Sequence, residues 1–428
     1  MRIAVVGAGI VGMATAWELA QDGHAVVVLE AQASVASEAS FANAGVLAPG
    51  YVTPWAAPGM PTRVLAGQFS RHRAVRFGPR SLSALPWLWR FLLASRPAPY
   101  RARRAAMVAL ARDSVARLQD LSRTQELEFE QQRGYLVLLR SPRERDRAAQ
   151  GLDWLHEQGI RVDLLDAAAC RALEPGLHEA TALAGGLHLP DDGLGNCRLF
   201  AHHLLTLCRR LGVEFRFGTR VTSLRPGSPV VVESQGNGNA LPAQTSFPES
   251  FDAVVVCAGQ ASRSLFAPLG LQLPILPVHG YSITAPLREH DSGRIAEPLA
   301  GLMDERYKVA ISRLGDRVRV AGSAEIGGSP DRLAAAPLRT LYKVLNDWFP
   351  GAATLSRVQQ WKGGRPMTPD GPPLIGPSLR EGIWLNTGHG SSGWALSCGS
   401  ARLLGDQLKG ATPSLDPAPF QLSRLGLR

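Results

Sequence analysis

Residues 2–30 read RIAVVGAGIVGMATAWELAQDGHAVVVLE. Arg2–Val6 is a short, continuous apolar run of the kind that forms a buried parallel strand. Gly7-Ala8-Gly9-Ile10-Val11-Gly12 follows at once, Met13–Gln21 reads as a helix that stops near Gly23, and Ala25–Leu29 is a second buried strand. Glu30 closes the unit, 18 residues (30 − 12) after the last glycine of the GxGxxG loop. Each part has a physical task. Gly7 permits the tight turn out of the strand, Gly9 lets backbone approach a pyrophosphate, and Gly12 lets helix and sheet pack closely. The helix N-terminus adds oriented N–H groups and a partial positive charge. Glu30 accepts hydrogen bonds from an adenosine ribose and repels a 2′-phosphate, so an NADP-type ligand is disfavoured. Strand, glycine loop, helix, strand and acid in that order specify dinucleotide binding.

Which dinucleotide is bound depends on the rest of the chain. Phe251–Gly259 (FDAVVVCAG) is another buried strand, and its last two residues, Ala258 and Gly259, let a loop run close to a cofactor; an ordinary strand-to-loop turn has the same look. Leu199–Leu211 reads as an amphipathic helix and Val213–Leu224 (VEFRFGTRVTSL) as a strand pair, with Val221 placed to meet an adenine. A β-rich return of this kind suits a flavoprotein better than a plain NAD dehydrogenase. Near the C-terminus, WKGGRPMTPDGPPLIG (361–376) precedes IWLNTGHGSSGWALSCG (383–399), a strand, a glycine-rich loop and a helix from about Trp394. There His389, Gly390, Ser391, Ser392 and Gly393 free the backbone and offer donors. A helix N-terminus at that place stabilises the negative charge that a flavin pyrimidine edge acquires on reduction.

Composition bounds the alternatives. The chain has 428 residues, 45% hydrophobic and 19% charged, enough for two or three domains and too apolar for disorder. Five cysteines show no CxxC pair and no zinc spacing, which reads as buried thiols and no metal site. The net charge of +10 is almost all arginine, lysine being confined to positions 308, 343, 362 and 409. No nucleic-acid-binding motif accompanies that charge, so nucleic acid is not an expected partner. The N-terminal apolar run is broken by the glycine loop and followed by acids, so no signal peptide is read and a cytoplasmic protein is expected. One stretch stays ambiguous. LSALPWLWRFLL (82–93) lies between arginines and reads either as a segment inserted beneath anionic headgroups or as a core helix.

The GxGxxG unit, Ser40-Phe41-Ala42-Asn43-Ala44-Gly45, GGRPMTPDGPPLIG and NTGHGSSGW together resemble the glycine/D-amino-acid oxidase family of FAD-dependent oxidoreductases. PGY (49–51), PWAAPG (54–59), PVHGYS (277–282) and YKVAISR (307–313) extend the likeness along nearly the whole chain. The resemblance implies an α/β protein: a Rossmann-like FAD-binding domain and an inserted mixed-sheet (α+β) substrate domain. It places residues 1–60, 145–225, 250–275 and 366–428 in the first and 61–144 and 276–365 in the second. It also implies noncovalent FAD, since residues 365–370 hold no cysteine to tether a flavin. The cofactor contacts it implies are Gly7 to Gly12 with Ala8, Gly9, Ile10 and Val11 between them, Glu30, Ala31, Ser40, Asn43, Ala44, Gly45 and Val46. Val221, Ala258, Gly259, Gly364 and the 389–393 loop complete the set.

For activity the resemblance implies oxidative deamination of a D-amino acid to a 2-oxo acid and ammonia, by hydride transfer from Cα to flavin N5. Electrons would pass to a quinone or respiratory-chain acceptor, with a peripheral inner-membrane contact. An oxidase of the same family releasing hydrogen peroxide, or acting on a secondary amino acid such as a D-proline derivative, and a non-catalytic flavin-binding subunit of a complex are the alternatives. Arg365 matches the arginine that pairs with the substrate carboxylate, and a guanidinium fork suits that task. Tyr281, Tyr307 and Tyr51 are candidates for closing the site. His279 and His389 are read as near the flavin or simply structural, and Asp370 as ordering its own turn.

Overall fold

In the computed structural model, residues 1–68, 70–236, 248–288 and 297–427 are described. The chain opens with β1 (Arg2–Val6), α1 (Ile10–Gln21) and β2 (Ala25–Leu29). Then come β3 (Val46–Leu47), α2 (Met60–Gly67), β4 (Val75–Phe77), α3 (Leu85–Ala94) and the long α4 (Pro97–Thr124). Next are β5 (Gln132–Leu139), α5 (Pro142–Ala149), α6 (Leu152–Glu157), β6 (Asp163–Leu165), α7 (Ala167–Leu173) and β7 (Gly185–Leu194). The middle holds α8 (Cys197–Arg210), β8 (Glu214–Arg216), β9 (Thr219–Arg225), β10 (Val230–Gly236), β11 (Glu249–Phe251), β12 (Ala253–Val256) and α9 (Ser262–Phe266). Strands β13 (Leu276–Pro286), β14 (Gly301–Asp304), β15 (Val309–Leu314) and β16 (Arg317–Ile326) follow, then α10 (Ala335–Trp348). Strands β17 (Gln359–Met367), β18 (Leu374–Arg380) and β19 (Ile383–Thr387) lead into α11 (Gly393–Leu408).

The continuous apolar runs do what their pattern predicts. Strands β1, β2 and β12 sit side by side and parallel at the centre of a sheet ordered β18-β19-β12-β1-β2-β8. Helices α1, α8 and α11 cover one face of it, and their apolar residues merge with Ile3, Val5 and Val255 into one core. The opposite face packs under β9 and β10 through Val27, Val221, Val232 and Val254. A second, larger sheet runs β17-β13-β16-β15-β14-β5-β7-β3. Alternation along its strands divides it. Leu136, Ile283, Ile311 and Val320 pack beneath α10, whereas the positions between them face back toward the nucleotide sheet.

Residues 46–47, 163–165 and 185–194, grouped from the sequence with the nucleotide-binding segments, pair into the larger sheet: β7 pairs along β5, and β3 and β6 pair with β7. The 82–93 stretch is neither wholly core nor wholly surface. Trp87 is buried, stacks on Phe91 and donates its indole N–H to the Met367 carbonyl at 3.0 Å. Leu82, Leu85, Trp89, Leu92 and Leu93 point outward, Trp89 with 62% of its surface exposed. No helix among the described residues is long and apolar enough to cross a membrane.

Candidate functional site

The ends of β1, β2 and β12 and the cavity-facing side of the larger sheet enclose one continuous cavity of about 1690 Å³. At its nucleotide end the glycine loop behaves as its chemistry demands. Gly7 has φ +103°, and a Cβ there would meet the Cys257 carbonyl oxygen at 2.9 Å. A Cβ on Gly12 would lie 1.9 Å from the Gly7 carbonyl oxygen. Glu30 accepts from the backbone N–H of Ala8 (2.6 Å) and Gln32 (2.7 Å), which locks its carboxylate at the end of β2. Burial raises its pKa, and those two N–H groups oppose the shift. Ser40 Oγ accepts from Ile10 N–H, tying the 40–46 segment to the start of α1.

Two helix N-termini open into this cavity. Helix α1 begins at Gly9 and α11 at Ser392; neither has a side-chain cap or an acid in its first turn. Apart from Ile10 N–H, which Ser40 takes, their first-turn N–H groups and positive dipole ends face the cavity and suit anionic ligand atoms. Beside α11, His389 bonds Ser400 Oγ at 3.1 Å, and burial depresses its pKa to about 3, so the imidazole is neutral.

Arg365 stands on β17, where the strand register sets it beside Val278 of β13. Its guanidinium folds across Gly280, where a Cβ would lie 2.3 Å from Nη2, and Nη1 donates to the Ser323 carbonyl at 2.9 Å. Ser323 is itself held at φ +57°. Burial lowers the Arg365 pKa to about 10, which leaves it cationic at neutral pH. Among the described residues no carboxylate pairs with it. A half-buried cation without a counter-ion, facing a cavity, suits an anion, and its planar fork suits a carboxylate.

The cavity collects most of the residues singled out in the sequence. Gly7, Gly9, Ile10, Val11, Glu30, Ala31, Ser40, Asn43, Ala44, Val46, Val221, Ala258, Gly259, Gly364 and residues 389–393 all line it. Ala8, Gly12 and Gly45 do not; Ala8 and Gly12 act through the backbone contacts above, and Gly45 turns at φ +74° and accepts from Gly195 N–H. All three candidate tyrosines line it as well, in different surroundings. Tyr51 lines the cavity, donates to Glu305 (2.9 Å) and receives Lys308 Nζ (3.2 Å). Tyr281 sends its ring into the core beneath α10, and its hydroxyl donates to Glu325 at 2.6 Å. Lys362 bonds the same carboxylate and lies over the ring. Tyr307 is held between Arg140 and Lys343, with His72 against its edge. His279 is buried with Nδ1 unpartnered and does not line the cavity, and Asp370 is clamped by Arg424 and Arg103. Gly280 and Ser323, which shape the Arg365 seat, escaped attention as site residues. A glycine inside the PVHGYS strand was the available signal.

A doubly open pair of helix N-termini, a locked ribose-type acid and a lone arginine above them define a dinucleotide-dependent oxidoreductase. The chain belongs to the FAD dependent oxidoreductase (DAO) family, whose model matches residues 2–407. It is 45% identical over 431 residues to a D-amino acid dehydrogenase of Cereibacter sphaeroides, covering 99% of this chain and 95% of the relative. A D-amino acid dehydrogenase of Methylobacterium nodulans is 40% identical, with 97% of both chains covered. Among solved structures, glycine oxidase from Geobacillus kaustophilus superimposes with a TM-score of 0.74 at 22% identity, with 99% of both chains covered. L-proline dehydrogenase from P. horikoshii gives 0.70 at 17% identity, covering 100% and 99%. These last two show the shared fold. FAD is the cofactor of this chain, and the two N-termini and glycine cradles fit it.

Proposed function

We propose that this protein is an FAD-dependent D-amino acid dehydrogenase. The observation that carries the reading is Arg365: a half-buried guanidinium with no carboxylate partner among the described residues, in the same cavity as the α11 N-terminus. Relatives at 40–45% identity with near-complete coverage and that name support it. Arg365 holds the substrate carboxylate, Ser323 and Gly280 hold Arg365, and small side chains at Ala310 and Ala321 leave room beneath the reacting carbon. FAD would supply the hydride acceptor; the N-terminus of α1 would hold its pyrophosphate and that of α11 its pyrimidine edge. Fixing a carboxylate and a reacting C–H in one geometry is the main service required. With no carboxylate beside Arg365 to act as base, the substrate amine loses its proton to solvent, and activity rises with pH.

The electrons pass to a quinone or respiratory carrier at a membrane surface. The outward face of α3 supports this. Leu65 and Leu92 line the cavity and continue into the exposed Leu82, Leu85, Trp89 and Leu93. Exposed arginines at 63, 71, 80, 90, 96 and 101 surround them, which suits shallow insertion beneath anionic headgroups.

Anaerobic titration of the flavin spectrum with D- and L-amino acids, then reoxidation with decylubiquinone or oxygen, tests the whole reading. D-enantiomers should bleach the flavin, and quinone should restore it faster than oxygen. Bleaching by both enantiomers would sink the substrate assignment, and fast reoxidation by oxygen the acceptor.

A further inference from the structure

Residues 39–112 hold eleven arginines and no acid. Seven of the fourteen large apolar side chains left exposed among the described residues lie between 65 and 93. Three of them, Leu65, Phe77 and Leu92, also line the cavity, so the cavity reaches the surface inside this patch. Its inner walls there are Met60 and Val64 of α2, Val75 of β4, and Leu88 and Phe91 of α3, all half-buried. Arg63 and Arg73 line this end too, but their guanidinium groups are tied to backbone: Arg63 to the Gly59 and Pro58 carbonyls, Arg73 to that of Gln68 at 2.6 Å.

This mouth adjoins the reacting end of the cavity. Phe91 stacks on Trp87 at 5.3 Å, Trp87 donates to the Met367 carbonyl, and Met367 stands two residues from Arg365 on β17. Gly390 N–H donates to the Pro366 carbonyl at 3.0 Å, which joins the loop before α11 to the same strand end. A second opening has the opposite character. Arg147, Arg306 and Lys308 are exposed where they line the cavity, Arg306 paired with Glu144 and Lys308 with Glu305. A charged opening suits a zwitterionic amino acid arriving from water. An apolar one amid arginines suits a molecule that arrives from lipid.

We propose that the cleft between α2 and α3 is the entrance and seat of a lipophilic quinone, taken directly from an anionic bilayer, with its ring packed on Leu88 and Phe91. This rests on the acceptor reading above and gives it a place. Helix α3 carries the argument, because it is apolar on both faces. Trp87, Leu88 and Phe91 turn inward, while Leu85, Trp89, Leu92 and Leu93 turn out and are left uncovered. A helix apolar all round is ordinarily buried, so the outer face calls for an apolar neighbour, and the acid-free arginine surround matches anionic headgroups. A flat quinone ring suits the aromatic and aliphatic inner wall. The exchange balances without another reagent: one reduced flavin and one quinone give oxidised flavin and hydroquinone, two electrons and two protons passing.

Two double variants of the holoenzyme separate the seat from the surface. Val64→Trp/Leu88→Trp fills the mouth from inside, and Leu82→Asp/Leu85→Asp places acid on the outer face alone. The probes are decylubiquinone in detergent micelles and flotation with anionic vesicles. Val64→Trp/Leu88→Trp should bind decylubiquinone about tenfold more weakly by calorimetry and float like wild type, with normal FAD content. Leu82→Asp/Leu85→Asp should stay in the soluble fraction yet bind decylubiquinone in micelles like wild type. Unchanged quinone affinity in Val64→Trp/Leu88→Trp overturns the seat while leaving a quinone acceptor in place. A KM for D-phenylalanine raised as far as quinone affinity falls also overturns it, by giving the mouth to substrate. Flotation of Leu82→Asp/Leu85→Asp equal to wild type overturns the bilayer as the source. Failure of wild type to bind or be reoxidised by decylubiquinone overturns the acceptor reading and the seat together.

Discussion

Gly280→Ala isolates the Arg365 seat from everything else in the cavity. The added Cβ would stand 2.3 Å from Arg365 Nη2, 2.5 Å from Cζ and 2.9 Å from Nη1. Ordinary contacts are about 3.5–4.0 Å, so the guanidinium must retreat by about 1 Å or more. It can, because it is the free end of a flexible side chain. Gly280 is not among the positive-φ glycines, and alanine in a strand loses less entropy on folding than glycine, so the fold should lose nothing. A misplacement of about 1 Å in a positioning group costs about 100-fold, or about 2.7 kcal/mol of transition-state stabilisation. The assay is anaerobic stopped-flow reduction of bound flavin over a range of D-alanine concentrations, with Tm and flavin content measured on the same preparation. The expected outcome is a kcat/KM lower by about two orders of magnitude, at unchanged Tm and unchanged FAD. Wild-type kinetics in Gly280→Ala would refute the argument that this glycine seats the carboxylate-binding arginine. Loss of FAD and stability together would show instead a structural role.

Arg365→Ala should lower kcat/KM by orders of magnitude with normal FAD content, because the carboxylate loses a charge-assisted fork; D-alanine oxidation at the wild-type rate would rule the role out. Gly12→Ala should yield colourless protein, since its Cβ falls 1.9 Å from the Gly7 carbonyl oxygen, and retained flavin absorbance would contradict that. Burial raises the Glu174 carboxyl from its ordinary 4.5 to about 7, although it accepts from Leu299 N–H. The folded state then holds a proton that the unfolded chain releases, so this group's stabilisation is full below about pH 4.5 and lost as pH rises through 7. Glu174→Gln should therefore gain on wild type by about 3 kcal/mol between pH 4.5 and 8, read as a widening Tm difference; a constant difference counts against the buried-acid argument. Finally, wild type should float with anionic liposomes at low salt and Trp89→Ser/Leu92→Ser should not. Equal flotation would move the contact elsewhere.

Much of the nucleotide half was readable from the chain because its signals are local. The RIAVV strand, the GAGIVG turn, the helix and Glu30 occupy 29 consecutive residues, and backbone conformation and helix dipole act over that distance. The same holds for 383–399, where strand, glycine loop and helix are contiguous. Arg365 was legible only through a resemblance, since one arginine among 42 carries no local mark. The larger sheet resisted reading because its neighbours are remote: β5 pairs with β14 166 residues on (302 − 136), and no local pattern marks that partner.

Sequence by itself determined that a dinucleotide is bound, that a glycine loop between two buried strands is the place suited to it, and that residues 82–93 are a strongly apolar segment between arginines. Tertiary structure decided which way those side chains turn. It packed the Tyr281 ring into the core beneath α10 although the residue also borders the cavity, and it folded the Arg365 guanidinium across Gly280, one residue away on the same strand. It buried Trp87 and exposed Trp89, two residues along one helix. It also left the Tyr135 hydroxyl buried without a partner. The reason is geometric. Alternation on a strand and rotation on a helix fix which residues share a face, but which face meets solvent, core or cavity depends on partners far away in the chain.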